Sequence, residues 1–229
     1  MSDLVQASSE AIRLILSGDK DVTTIVFASL RFSLSSTLIA SLTGIPAGIA
    51  LAASHFRFKR LLEDVLNTLL AVPTVVVGLF VYTLIFSQGP LGSFRLLFTP
   101  AAIILGQTVL IFPLITALVC SSVSSINPIF RETALTLGAS NFRAVWTVAA
   151  EARSAILVAC LTGFGRVIGE IGISLILGGN ILDYTRTITT AISLQTSKGE
   201  FALGLALGMI LLIVAFGVNI SARVLRRQS

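Results

Sequence analysis

The chain has 229 residues, 55% of them hydrophobic and only 12% charged, with a formal net charge of +5. A soluble domain carries about 25% charged residues, so this composition excludes an ordinary soluble domain and points to an integral membrane protein. The cations flank apolar runs and are not interleaved with aromatics, which sets nucleic acid aside as a partner.

Residues 1–24 read as an N-terminal segment outside the membrane core, with a short helix of mixed, amphipathic or soluble character over residues 3–17. It does not read as a signal peptide, because Asp3 and Glu10 stand where such peptides need basic residues. Five stretches then reach the roughly 20 apolar residues a transmembrane helix requires: 30–54, 65–87, 99–121, 155–178 and 201–222. Residues 25–225 therefore form one all-α transmembrane domain, interrupted by a loop at 126–154 and followed by a basic tail at 226–229.

Pro46, Pro73 and Pro113 each fall inside a predicted span and are expected to interrupt it. They either mark a pathway between kinked helices or reflect the greater frequency of proline in membrane helices. The glycine pairs Gly44/Gly48, Gly165/Gly169 and Gly204/Gly208 have the spacing that lets helix backbones approach, within one subunit or between two. Cys120 and Cys160 lie in or beside spans, with neither metal-ligand spacing nor a disulfide framework, and read as small packing residues. The single histidine, His55, sits beside Phe56 and Arg57 and reads as a membrane-edge residue.

The polar break at 127–140 is the most informative segment. Asn127 is a good N-cap, Pro128 fits the first helical position, and Gly138 supplies the left-handed residue that stops a helix. The spacing predicts a short helix, a glycine stop and the start of a second helix, placed between membrane spans. Glu132 is either part of a contact surface or a solvated charge near a helix N-terminus.

Arg166 and Glu170 are the sharpest residues within a span. A mid-span charge costs roughly 2.5–3.5 kcal/mol on insertion scales, so it is rarely incidental. Their four-residue spacing predicts one helix face. They form a self-neutralising structural pair, or a cation beside a pathway with Glu170 setting its position; the two are compatible. A polar, hydroxyl-rich segment follows at 178–192, including Asn180, Thr185, Arg186 and Thr187. It either caps the pathway or is an ordinary surface loop.

Arg57, Lys59, Arg60, the central loop with Arg131, Arg143 and Arg153, and the tail with Arg223, Arg226 and Arg227 share one side if there are five spans. The cations on the other side are diluted by Asp3, Glu10, Asp19, Asp21, Asp183 and Glu200. The bias predicts a cytoplasmic tail and central loop and an external N-terminus. No GxxxxGK[ST] phosphate loop occurs, so this chain is not expected to hydrolyse ATP.

These features together resemble the membrane subunit of a type I ABC importer of the molybdate/tungstate and methionine class. Glu132, Ala134 and Gly138 match the coupling-loop motif, and Thr133 departs from its usual second alanine. Val72-Pro73 followed by Gly78, and the Gly-Glu, Gly-Asn and Thr-Arg-Thr elements between Gly163 and Thr187, are also similar. Arg166 to Glu170, Gly179-Asn180-Ile181, Thr189 to Ile192 and Lys198 to Phe201 look most like tungstate permeases. A proline usual late in the coupling region is missing from 148–153, which fits that subgroup.

The resemblance implies a permease subunit for an oxyanion, most similar to those for tungstate, in a bacterial or archaeal cytoplasmic membrane. It also implies a second copy of the chain, two ATP-binding cassette subunits carrying ATP and magnesium, and an external substrate-binding protein. This chain itself would hold no cofactor or metal and have no catalytic residue. Glu132, Thr133, Ala134 and Gly138 would couple to the ATPase; Arg166, Glu170 and Asn180 would line the substrate path or gate. Alternatives are a molybdate or sulfate permease of the same fold or, from another class, a passive channel or anchor subunit.

Overall fold

The computed structural model describes residues 2–54 and 57–226, and among these every regular element is helical. His55 and residues 227–229 of the basic tail lie outside the described residues. In chain order the helices are α1 (Ser2–Leu16), α2 (Lys20–Ala53), α3 (Lys59–Leu70), α4 (Thr74–Ile85), α5 (Pro100–Ser124), α6 (Pro128–Thr136), α7 (Asn141–Glu151), α8 (Arg153–Ile168), α9 (Gly172–Gly178), α10 (Ile188–Lys198) and α11 (Phe201–Arg226). Three helices, α2, α5 and α11, are long and apolar enough to cross a membrane unbroken, and up to five crossings exist if each bent helix pair is one span.

α2 starts ten residues before the first predicted span. The Asp19 carboxylate accepts from the amides of Asp21 and Val22, so its cap carries the helix through a charged first turn. The sequence stretch 65–87 is not one helix. α3 and α4 meet at 101° across Ala71 to Pro73, and Pro73 is the N-cap residue of α4 rather than an interior residue. Its missing amide and fixed φ suit that position. Pro46 and Pro113, by contrast, lie inside unbroken helices, so the expected interruptions do not occur there. The stretch 155–178 is also divided: α8 ends at Ile168 and α9 resumes at Gly172. α7 and α8 meet at 65°.

α2 packs most extensively on α5, and the two run parallel: Ser36 meets Gln107, Gly44 meets Thr116, and Gly48 meets Val119. A Cβ on Gly48 would lie 2.7 Å from the Thr116 carbonyl oxygen and 2.8 Å from the Val119 Cβ, so this glycine is needed for close approach. α8 returns antiparallel, with Gly163 against Ile111 and Ile115, and α9 continues past Gly106 to bring Gly178 against Ile103. Val81, Ile111, Ile115, Ile173 and Leu177 are the centre of this core. α1 packs on α11, burying Ala11, while Leu14 joins a second cluster with Val22, Ile25, Ile188 and Leu207.

Candidate functional site: an exposed helical turn and a charged break

The segment from Asn127 to Glu151 folds as predicted, as two helices around a tight stop. The Asn127 side chain accepts from the Ile129 amide at 3.0 Å, and Pro128 opens α6. Gly138 has φ +85°. The Gly138 amide donates to the Leu135 carbonyl at 3.0 Å, and the Ala139 amide to the Ala134 carbonyl at 2.9 Å. This pair of bonds is a Schellman ending and requires the left-handed residue. Ser140 then caps α7 by accepting from the Arg143 amide at 3.4 Å, and Arg131 donates across the turn to Asn141 at 3.4 Å.

Glu132, Thr133 and Gly138 are exposed and Ala134 is half-buried. Ile129, Phe130, Thr133, Ala134, Leu137 and Arg143 line a shallow hollow of about 630 Å³. On the same pair of helices Leu137, Phe142 and Trp146 are 82%, 79% and 65% exposed. Large apolar groups held outward on a capped helical turn, with Arg143 lining the hollow, make a surface suited to docking a protein.

The second region is the break between α8 and α9. Arg166 occupies the last turn of α8, and Glu170 lies past Gly169, beyond the helical face predicted for it. The pair still forms, with Nη1 3.7 Å from Oε2, because a tight turn follows α8, in which the Glu170 amide donates to the Val167 carbonyl at 3.1 Å. Its two ends differ sharply. The Glu170 side chain is 4% exposed and its Oε1 accepts from the Ile173 amide at 3.3 Å, while the Arg166 side chain is 48% exposed. Gly165 and Gly169 are exposed beside it, and a Cβ on Gly169 would touch nothing. Val167 lies level with Gln107, seven residues into α5, or roughly 10 Å along that helix. A guanidinium reaching outward at that depth is costly against lipid and belongs beside a polar space or a protein partner.

Asn180 sits just past α9 at φ +52°. Its Oδ1 accepts from Arg186 Nε at 3.2 Å, its amide donates to the Thr190 carbonyl at 3.5 Å, and its carbonyl accepts from Arg186 Nη2 at 3.3 Å. It therefore organises the loop that follows. The hydroxyl-rich stretch is no open surface loop: Thr185, Thr187, Thr189 and Thr190 are buried, and α10 begins at Ile188. Gln107, with its partner Ser36, and Thr189 support the break. In the sequence Thr189 stands out only as part of a hydroxyl-rich segment; for Ser36 and Gln107, which are not singled out, the signal available is a glutamine amid the apolar run of α5. Among the described residues no group of three or more His, Cys, Asp or Glu side chains could hold a metal ion.

Comparison with known proteins agrees with this architecture. Residues 44–228 match the family described as "Binding-protein-dependent transport system inner membrane component". The chain is 37% identical to the tungstate uptake system permease protein TupB of Peptoclostridium acidaminophilum, over 96% of each chain. It is 40% identical to TupB of Campylobacter jejuni, over 95% of this chain and 91% of that protein. Among solved structures, the inward-facing MetNI methionine ABC transporter aligns over 91% of this chain and 96% of that chain, with a TM-score of 0.71 at 16% identity. An all-helical membrane fold with a capped helical turn between its spans, and near-full-length identity to permeases, place this chain in the binding-protein-dependent transport system inner membrane component family.

Proposed function

We propose that this chain is the membrane-spanning subunit of an ATP-driven importer for an oxyanion, and that the oxyanion is tungstate. The observation that carries the importer reading is the exposed helical turn at 127–151. A passive channel or anchor subunit needs no capped, apolar-faced turn presenting Leu137, Phe142 and Trp146 outside its spans. The 37% and 40% identity to two tungstate permeases supports the substrate.

In this reading two copies of the chain form one pathway and two ATPase subunits bind the helical turns, each ATPase holding ATP and magnesium. An external binding protein delivers the anion. The turn and tail face the cytoplasm and the N-terminus faces out, as the cation bias favours. α6 seats in a cleft of the ATPase, with Glu132 and Thr133 at its exposed face and Ala134 where only a small side chain fits. ATP-driven closure of the ATPases draws the two turns together and opens the pathway outward. Arg166 supplies positive charge along the path, Glu170 fixes its position, and Asn180 shapes the outer loop.

The test is reconstitution. The purified complex should contain an ATPase subunit and accumulate tungstate in proteoliposomes in an ATP-dependent manner, in preference to molybdate and sulfate. ATP-independent flux, or a preparation without an ATPase subunit, would overturn the importer reading. Equal or greater uptake of molybdate or sulfate would overturn the substrate.

A further inference from the structure

The break that carries Arg166 and Glu170 is held from two sides by polar groups buried inside the bundle. On one side is the start of α10. The Thr189 hydroxyl donates to the Glu170 carbonyl at 2.8 Å, and Ser174 Oγ adds a longer bond to the same oxygen at 3.3 Å. Thr189 Oγ1 lies 3.2 Å from Thr187 Oγ1, which accepts from the Thr190 amide at 3.4 Å. The donors can therefore run in one direction: Thr190 amide to Thr187, Thr187 to Thr189, Thr189 to the Glu170 carbonyl. Each hydroxyl accepts once and donates once, an arrangement that strengthens every link in a low-dielectric interior. α10 is itself anchored to α2, because the Ile188 amide donates to Ser29 Oγ at 2.7 Å.

On the other side is α5. Gln107, 2% exposed, accepts from Ser36 Oγ at 2.9 Å and directs its amide to the Val167 carbonyl at 3.5 Å. Val167 and Glu170 bracket the break: the Val167 carbonyl accepts the Glu170 amide at 3.1 Å and takes the Gln107 amide as a second, longer partner, while the Glu170 carbonyl is met by the hydroxyls of Thr189 and Ser174. A break in the apolar interior leaves a carbonyl such as that of Glu170 without a helical amide donor, and side chains must satisfy it; the Gln107 contact instead tethers the end of α8 to α5.

We infer that Thr189 and Gln107 are positioning residues for transport: they clamp the α8–α9 break from α10 and α5 and so fix where the Arg166 guanidinium stands. This rests on the reading of Arg166 as a pathway cation. Neither residue carries charge or reaches the exposed face of the pair, so both act through the backbone of the break. The arrangement also ties the outer loop to the charged pair, because Asn180 accepts from Arg186 and donates to the carbonyl of Thr190 in the same threonine cluster.

The test uses the full-length chain in lipid nanodiscs and the whole importer in cells supplied with tungstate. Thr189→Val keeps the shape and removes the hydroxyl; Gln107→Leu does the same for the amide. Both should raise amide hydrogen exchange over residues 168–175 by about fivefold, the scale of one net hydrogen bond, while the turn at 127–140 stays unchanged. The maximal tungstate uptake rate should fall by a similar factor at unaltered membrane abundance, and Thr189→Ser should restore both readouts. Unchanged exchange at 168–175 in both variants overturns the clamp. Faster exchange with normal uptake overturns the role in transport and leaves Arg166 to its own test. A variant too poorly inserted to assay is replaced by Ser36→Ala, which loosens Gln107 without touching the break and should give a smaller effect of the same sign; no effect there overturns the α5 arm.

Discussion

Replacing Gly138 with valine separates torsion from contact at the helical turn. In the chain a Cβ at Gly138 would meet nothing within 4 Å, so the substitution creates no internal clash. The cost is conformational. At φ +85° an L residue pays roughly 1–2 kcal/mol, and a β-branched side chain resists the region most. That energy corresponds to roughly a 5- to 30-fold loss of the native turn relative to alternatives. The two Schellman bonds from Gly138 and Ala139 loosen with it, and the angle between α6 and α7 is no longer held. The turn lies outside the packed core, so insertion and abundance should be unchanged. In proteoliposomes, tungstate uptake per ATP hydrolysed should fall at least fivefold for Gly138→Val. Gly138→Ala should be intermediate and Gly138→Asn mildest, because asparagine tolerates the left-handed region. Wild-type coupling by the valine variant would refute the reasoning. An order following side-chain size, with asparagine worse than alanine, would show that steric docking and not backbone torsion controls the turn.

Arg166→Leu should destabilise by roughly 3 kcal/mol, the low end for breaking a buried pair, since the arginine is half exposed. The double change Arg166→Leu with Glu170→Leu should recover abundance on immunoblots but not tungstate uptake; recovery of both would remove Arg166 from the anion path. A cysteine at exposed Ser197 should react with an impermeant thiol reagent from outside cells, and one at exposed Thr136 only after permeabilisation; the opposite pattern reverses the orientation. Gly48→Ala should lower the thermal stability of the solubilised protein by about 1–3 kcal/mol through overpacking against Thr116 and Val119. An unchanged melting temperature would contradict the close α2–α5 approach.

The helical turn was legible because its stop and start signals are local: Asn127, Pro128, Gly138 and Ser140 each act on neighbouring backbone groups. The spans were legible as apolar runs, but hydropathy carries no information about direction. The break in 65–87 falls at Pro73, where an interruption is expected from sequence; the run at 155–178 reads as continuous, and its break depends on tertiary support, because Thr189 donates to the freed carbonyl of Glu170. Pro46 and Pro113 misled for the converse reason, since surrounding helices hold a proline-containing helix in line. The Arg166–Glu170 pair was visible from spacing, yet its asymmetry of exposure follows only from the turn of chain between the two residues.

Parallel packing of α2 and α5 has a geometric consequence for permeation. Two parallel neighbours require the chain between them to return across the membrane. α3 turns aside at 101°, so the helical part of that return is α4, with 12 residues. That is roughly 18 Å of helix against about 30 Å of hydrocarbon. α4 faces α9, of seven residues, with Gly78 against Ile173 and Ile176. Where these half-length helices meet, the apolar barrier is therefore thinner than the bilayer around it. The work of parting two apolar surfaces scales with the area exposed. A seam of this length therefore takes less work to part than a contact between two full-length helices would.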